Sequence, residues 1–132
     1  MSTMSTIFTR IIDGEIPAQK IYEDDMVIAI LDIEPVQKWH MLVITKHPYP
    51  WMQECDDASL SHAFLTAKKL MTHMKEKLWC DYVHLVVEWV QVPHFHIHLI
   101  PSMLPVKNAE WRHTKYEAGE MADYQAKLQM NN

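Results

Sequence analysis

Val92-Pro-His-Phe-His-Ile-His-Leu-Ile-Pro101 is the stretch on which the fold of this chain turns. In a β-strand successive side chains point to opposite faces, so His94, His96 and His98 share one face while Phe95, Ile97 and Leu99 share the other. The rise per residue sets neighbouring imidazole positions about 6.6 Å apart. The apolar face then belongs to a core, and the histidine face is expected to stay open for a ligand. With nine histidines among 132 residues, a chance match at three fixed positions arises roughly once in 3,000 windows, or in about 4 % of chains this long, so the spacing is suggestive by itself. One histidine on such a strand is ordinarily a solvated polar residue. Three on one face, beside a clean apolar face, call for a chemical reason.

Imidazole suits two tasks here. Neutral near pH 7, it acts as a nucleophile or proton shuttle, and it also ligates transition metals. One tetrahedral ion cannot take all three rings, because the outer two positions lie about 13 Å apart while metal–nitrogen bonds are about 2 Å. Two of them could share an ion with a histidine from elsewhere, such as His40 or His47.

The flanking segments supply the rest of a fold. Thr6-Ile-Phe-Thr-Arg-Ile-Ile12 has apolar residues on one helical face, and Asp13-Gly14 supplies a stop. Lys20 to Tyr22 and Met26 to Leu31 are β-rich runs joined by the acidic turn Glu23-Asp24-Asp25, and His40-Met-Leu-Val-Ile-Thr45 is a third apolar run. From Ser59 to Leu78, Leu60, Phe64, Ala67, Met71, Met74 and Leu78 recur at helical steps, with Asp57 or Ser59 available as N-cap. That pattern predicts a long helix covering the sheet, with His62 and His73 as solvated surface residues. Tyr82 to Val87 and His94 to Pro101 are expected as the fourth and fifth strands, followed by a final helix from about Glu117 to Leu128. The order αβββαββα favours an antiparallel five-stranded sheet in an α+β fold.

The length of 132 residues, 48 % of them hydrophobic, suits one domain and leaves no room for a second. Residues 1–132 therefore read as a single domain, with a core over about 6–103 and a C-terminal extension over about 104–132. A formal net charge of −5 argues against nucleic acid as a partner, since that binding needs a density of Lys and Arg. Small anions stay open, because imidazoles and backbone N–H groups can hold a phosphate in an acidic protein. No apolar run reaches the roughly 18 to 20 residues that span a bilayer, and no targeting pattern stands at the N-terminus, so no membrane partner and a cytoplasmic location are expected. Cys55 and Cys80 lack metal-binding or redox spacing and read as free buried thiols.

His94-Phe-His-Ile-His-Leu-Ile100 matches His-φ-His-φ-His-φ-φ, φ being apolar, and so resembles the motif of the histidine triad (HIT) superfamily of nucleotide hydrolases and transferases. Ile7 to Ala18, Tyr22-Glu-Asp-Asp25, Leu31-Asp-Ile-Glu-Pro35 and His40-Met-Leu-Val-Ile-Thr-Lys46 are similar to that family's successive N-terminal blocks, in order and in spacing. The resemblance implies a HIT-like fold with a short N-terminal helix, a long central helix and a C-terminal helix, assembled as a homodimer. It implies that His96 attacks the α-phosphorus of a purine nucleotide ester or amide, such as a phosphoramidate or dinucleoside polyphosphate, and that water releases the covalent nucleotidyl-histidine. His94 and His98 would orient that ring and stabilise phosphoryl oxygens, with the His98 carbonyl as acceptor for the His96 N–H, and His40 would complete the cluster. Asp32 would accept hydrogen bonds from ribose hydroxyls. Phe8, Ile11, Ile16 and Ile33 would line the base slot, although without the resemblance they would read simply as core.

Three departures stand out. Relatives place Asn-Glu-Gly and Ala-Gly-Gln segments before the triad, whereas the connection here is the shorter Val87-Glu-Trp-Val-Gln-Val-Pro93. Gln91 is one residue out of step with the expected glutamine and reaches the site only if a bulge re-aims it. Thr6 and Thr9 stand where some members carry a structural zinc Cys-x-x-Cys; hydroxyls do not replace thiolates, so no metal and no organic cofactor are expected. Lys38-Trp39 precedes His40 where relatives often have Pro-Gly or similar small residues. A nucleotidyl transferase, a nucleotide-binding or interaction module with lost catalysis, and a metal-dependent hydrolase built on His40 remain as alternatives.

Overall fold

In chain order the elements are α1 (Ile7–Ile12), β1 (Lys20–Glu23), β2 (Val27–Leu31), β3 (Met41–Thr45), a 3-10 turn at Met52–Glu54, α2 (Asp57–Lys77), β4 (Tyr82–Val87), β5 (His96–Ser102) and α3 (Glu120–Leu128). They come from a computed structural model that describes residues 5–88, 90–103 and 115–130. Much of the stretch expected as a C-terminal extension, residues 104–114 and 131–132, lies outside the described residues. The five strands form one antiparallel sheet in the order β1-β2-β3-β5-β4, the α+β arrangement that the pattern of runs predicts.

Every residue of β2 and β3 is buried, as continuous apolar runs require when a strand is covered on both faces. One face, with Val27, Ala29, Leu31, Met41, Val43, Ile97 and Leu99, packs on α2 to form the main core. The other, with Ile28, Ile30, Leu42 and Ile44, packs on Phe8 and Ile11 of α1. The side chains of α2 buried at its centre are Ala63, Thr66, Ala67, Leu70 and Met74, so the helix is rolled from the expected stripe. Leu60, Phe64 and Met71 pack at the margin. The N-cap of α2 is Asp56, one residue ahead of Asp57, because its carboxylate is the one that accepts the Ser59 N–H, at 2.6 Å.

Helix α3 starts later than expected, at Glu120, with Gly119 in the left-handed region (φ +81°) as its N-cap. Fully buried Leu128 anchors it, while Gln125 Nε2 donates to the Lys20 carbonyl (2.9 Å) and the Met130 N–H to the Ile21 carbonyl (2.8 Å). His73 Nε2 hydrogen-bonds the Leu128 carbonyl at 2.7 Å, and His62 Nε2 lies 2.6 Å from Asp24 Oδ2, so neither is the solvated residue expected. Cys55 and Cys80 are free thiols as expected, but Cys80 is only half-buried. Among the described residues no helix is long and apolar enough to cross a membrane.

Asp24 holds the β1–β2 turn. Its Oδ1 accepts the N–H groups of Met26 (2.8 Å) and Val27 (2.9 Å), and its Oδ2 accepts from Tyr22 (2.7 Å) and His62 (2.6 Å). Burial is the largest single influence on this carboxyl and works upward, yet the hydrogen bonds from Tyr22, Met26, His62 and Val27 together outweigh it and bring the pKa down to about 2. A carboxyl depressed from 3.8 to about 2 contributes about 2 kcal/mol that is fully present above the unfolded value and is lost as pH falls towards 2. Asp24→Ala should therefore cost about 2 kcal/mol in urea unfolding at pH 7, with the gap to the parent shrinking at pH 2.5. An equal gap at both pH values would contradict this account of the turn.

Candidate active site

The β3–β5 ladder sets the site. Ile44 lies opposite His96 and Leu42 opposite His98, so both imidazoles stand on the sheet face that α1 covers. His94 is not part of β5 as expected; it sits two residues before the strand, where its N–H bonds the Val92 carbonyl at 2.8 Å. The Phe8 ring lies edge-on to His94 (centroids 5.8 Å) and to His96 (4.8 Å). The expectation of an open histidine face is thereby corrected. His40 and His94 are fully buried, and His96 and His98 are 3 % and 8 % exposed, because α1 lies over a face that strand alternation alone leaves bare. The rings nevertheless form one cluster, with His96 and His98 centroids 4.8 Å apart and His40 and His98 5.1 Å apart.

Backbone groups dictate where each ring carries its proton. The Val36 N–H donates to His40 Nδ1 (3.0 Å), so neutral His40 must be protonated on Nε2. That Nε2–H faces His98 Nδ1 at 2.9 Å and Asp32 Oδ2 at 3.6 Å. His98, accepting at Nδ1, then carries its proton on Nε2. His94 Nε2–H donates to the Thr45 carbonyl (2.5 Å), which makes its Nδ1 an acceptor that is buried without a hydrogen-bond partner among the described residues. His96 Nδ1–H donates to the His94 carbonyl at 2.6 Å. The expected acceptor was the His98 carbonyl; the correction follows from the bend that brings the 94 carbonyl back beneath the ring. His96 Nε2 is thus left with its lone pair, the electronic condition for a nucleophile.

Burial is the main reason that the pKa values of His94 and His96 fall below the ordinary 6.5. The Thr45 carbonyl opposes the fall at His94, and at His96 the His94 carbonyl and the charge of Glu88 oppose it. Glu88 was not singled out from the sequence. The β4–β5 ladder ends at Val87 opposite Ile97, so continuing the register brings Glu88 opposite His96, on the same face. Its Oε1 accepts the Val90 N–H, which folds the carboxylate into the turn. Counting parity back along β4 from the triad would have found it.

Of the other expected residues, Asp32 stands beside His40, and its Oδ1 accepts the Glu34 N–H at 2.9 Å. Phe8 and Ile11 are buried in the cluster against the histidine face and half-buried Ile16 packs on it. Ile33 is 72 % exposed and Gln91 is exposed in the β4–β5 connection, so the structure brings neither into the buried cluster. Ile33 follows Asp32 on a turn that points it away, and β5 begins too late for Gln91 to be aimed by strand register.

Asp32, His40 and His98 bring donor atoms within 4.8 Å of one another, the grouping best placed for a metal ion among the described residues. It fits one poorly. His40 Nε2 would have to give up its proton, yet the neutral alternative puts a proton on Nδ1 against the Val36 N–H. Thr6 and Thr9 serve the helix start: the Thr6 N–H donates to Thr9 Oγ1 (2.8 Å) and the Thr9 N–H to Thr6 Oγ1 (3.3 Å), a capping box for α1.

A histidine whose folded pKa is lowered binds fewer protons than its unfolded counterpart, so its neutral form is stabilised above the unfolded value and this contribution is lost as pH falls below 6.5. In an NMR titration the His96 and His94 rings should be less protonated at pH 6.5 than a solvated imidazole, which is half-protonated there. Midpoints at or above 6.5 for both rings would contradict the burial argument.

The sequence matches the model of the HIT domain over residues 13–103. An uncharacterized HIT-like protein of Methanocaldococcus jannaschii is 41 % identical over 100 residues, 72 % of this chain and 77 % of that one. The adenylylsulfatase HINT3 of Arabidopsis thaliana is 32 % identical over 72 % of this chain, which spans 51 % of that longer protein. A hypothetical histidine triad nucleotide-binding protein of Sulfolobus tokodaii superposes with a TM-score of 0.82 at 25 % identity, covering 93 % of this chain and 89 % of its own. With the triad, the five-stranded sheet and the family match in agreement, this chain belongs to the histidine triad (HIT) family.

Proposed function

We propose that the chain hydrolyses purine nucleoside monophosphate esters and amides through a nucleotidyl-histidine intermediate on His96. The observation that carries this reading is the hydrogen bond from His96 Nδ1 to the His94 carbonyl, which leaves Nε2 free to attack phosphorus. As the Nε2–P bond forms, the bond from phosphorus to the leaving amine or oxygen breaks, and the leaving group takes up a proton from solvent. The ring then bears positive charge, which the His94 carbonyl stabilises through Nδ1–H. Water next attacks phosphorus and gives up a proton to solvent, the Nε2–P bond breaks, and the nucleoside monophosphate is released with His96 restored. His98 Nε2–H is a donor for phosphoryl oxygens, Asp32 an acceptor for ribose hydroxyls, and Phe8, Ile11 and Ile16 an apolar wall for the base. No step requires a metal.

Glu88 refines the substrate. A carboxylate beside His96 opposes a leaving group that departs as an anion and favours one that departs as an amine, so amides are preferred to anhydrides. We infer a homodimer in the cytoplasm; what supports the dimer is that β4 is one of the two edge strands of the sheet, where a second sheet could add.

Adenosine 5′-phosphoramidate should be turned over by the chain in the presence of a chelator, and His96→Ala should lower the rate at least about 1,000-fold. Tight AMP binding without turnover would favour a binding module instead, and an activity abolished by chelation would favour the metal-dependent reading. Appearance of a nucleotidylated acceptor when a second phosphate is supplied would favour transfer. Glu88→Gln should shift the preference towards ADP-like anhydrides, the direction expected when one negative charge is removed from beside the leaving group. An unchanged ratio would remove Glu88 from the account.

A further inference from the structure

Among the described residues Trp39 alone, apart from glycines, has a positive φ, at +76°. It is the third residue of a turn closed by the His40 N–H on the Gln37 carbonyl at 3.0 Å. A type II turn puts this conformation at that position and usually fills it with glycine, because a Cβ there is strained. The turn leads straight into the site. The next residue is His40, whose carbonyl accepts the Asp32 N–H at 2.9 Å and whose Nδ1 accepts the Val36 N–H.

What holds a tryptophan in this state comes from the C-terminal segment. The indole stacks on Tyr124, with centroids 3.6 Å apart and planes inclined by 26°, and the Lys127 ammonium lies 5.3 Å from the Trp39 ring. The Trp39 N–H donates to Tyr116 Oη at 3.2 Å. Neighbouring Lys38 pairs with Glu120 at 2.5 Å and lies 5.7 Å from the Tyr116 ring. All of these partners follow residue 103, where the family match ends.

We propose that the segment 115–130 is a clamp for the active site: Tyr116 and Tyr124 hold Trp39 in the left-handed turn that presents His40 to His98 and Asp32. Trp39, Tyr116 and Tyr124 are positioning residues, acting through His40 without touching the substrate. The segment gives a glycine-like turn to a chain that has no glycine there. The catalytic consequence rests on the nucleotidyl-histidine reading above, whereas the geometric consequence for His40 does not.

The test is a rescue. Tyr124→Ala removes the stack and should lower kcat for adenosine 5′-phosphoramidate about tenfold, while Tyr124→Phe, which keeps the ring, should stay within about twofold of the parent. Adding Trp39→Gly to Tyr124→Ala lets the turn form unaided and should bring the rate back to within about threefold of the parent. In parallel, the His40 ring nitrogens read by NMR should lose their Nε2-protonated, hydrogen-bonded signature in Tyr124→Ala and regain it in the double variant. A double variant no better than Tyr124→Ala, in the rate or in the His40 signature, would overturn the clamp, as would a Tyr124→Ala chain with an unaltered His40 ring. If the parent itself proves inactive on every nucleotide, the hydrolase reading fails and the His40 signature alone decides the clamp.

Discussion

The ladder between β3 and β5 is the constraint from which the site follows. Its register puts Ile44 opposite His96 and Leu42 opposite His98, so two imidazoles share a face with the apolar side chains that seat α1. Side chains alternate with a period of two, so a slip of one residue would turn both rings into the α2 core and bring Ile97 and Leu99 to the site. Burial of Ile97 and Leu99 against α2 thus enforces the position of the chemistry. The apolar face fixes the register, and the polar face inherits it.

Holding imidazoles in so dry a place creates a tension that backbone groups resolve. Desolvation removes the proton that would block a nucleophile, and carbonyls at 45 and 94 then orient the neutral rings. A side-chain partner could rotate or titrate; a peptide group does neither. The same holds at His40, where the Val36 N–H selects the tautomer and sends the remaining proton towards His98. Three ring orientations therefore depend on main-chain atoms, which are as rigid as the turns and strands that carry them, and His98 is oriented in turn by His40.

Local pattern in the sequence was enough to locate the strands, the three helices and the group His40, His94, His96 and His98, because each depends on periodicity or on a motif. What escaped depends on contacts between segments far apart in the chain. The burial of the triad requires knowing that Phe8 lies over it, and the partners of His62 and His73 are Asp24 and Leu128. Glu88 becomes visible only when β4 is aligned against β5. The exposure of Ile33 and Gln91 follows from turn directions that neither composition nor spacing encodes. The N-cap at Asp56 in place of Asp57 is a different kind of miss, between adjacent residues of nearly equal capping strength.

The two departures around the site have one physical logic. Helix α1 must stay seated for Phe8 to cover the triad, and the turn before His40 must keep its hand for that ring to meet His98. Thr6 and Thr9 secure the first with reciprocal hydrogen bonds at the helix start. At the second, Trp39 takes the left-handed conformation at a cost of about 1–2 kcal/mol. A stacked aromatic pair contributes about 0.5–1.5 kcal/mol beyond its burial, which is of the size needed to counter that strain. Strain at position 39 and stacking from α3 are therefore coupled terms: either alone would be unfavourable or idle, and together they tie a helix beyond the family match to the geometry of the imidazole cluster.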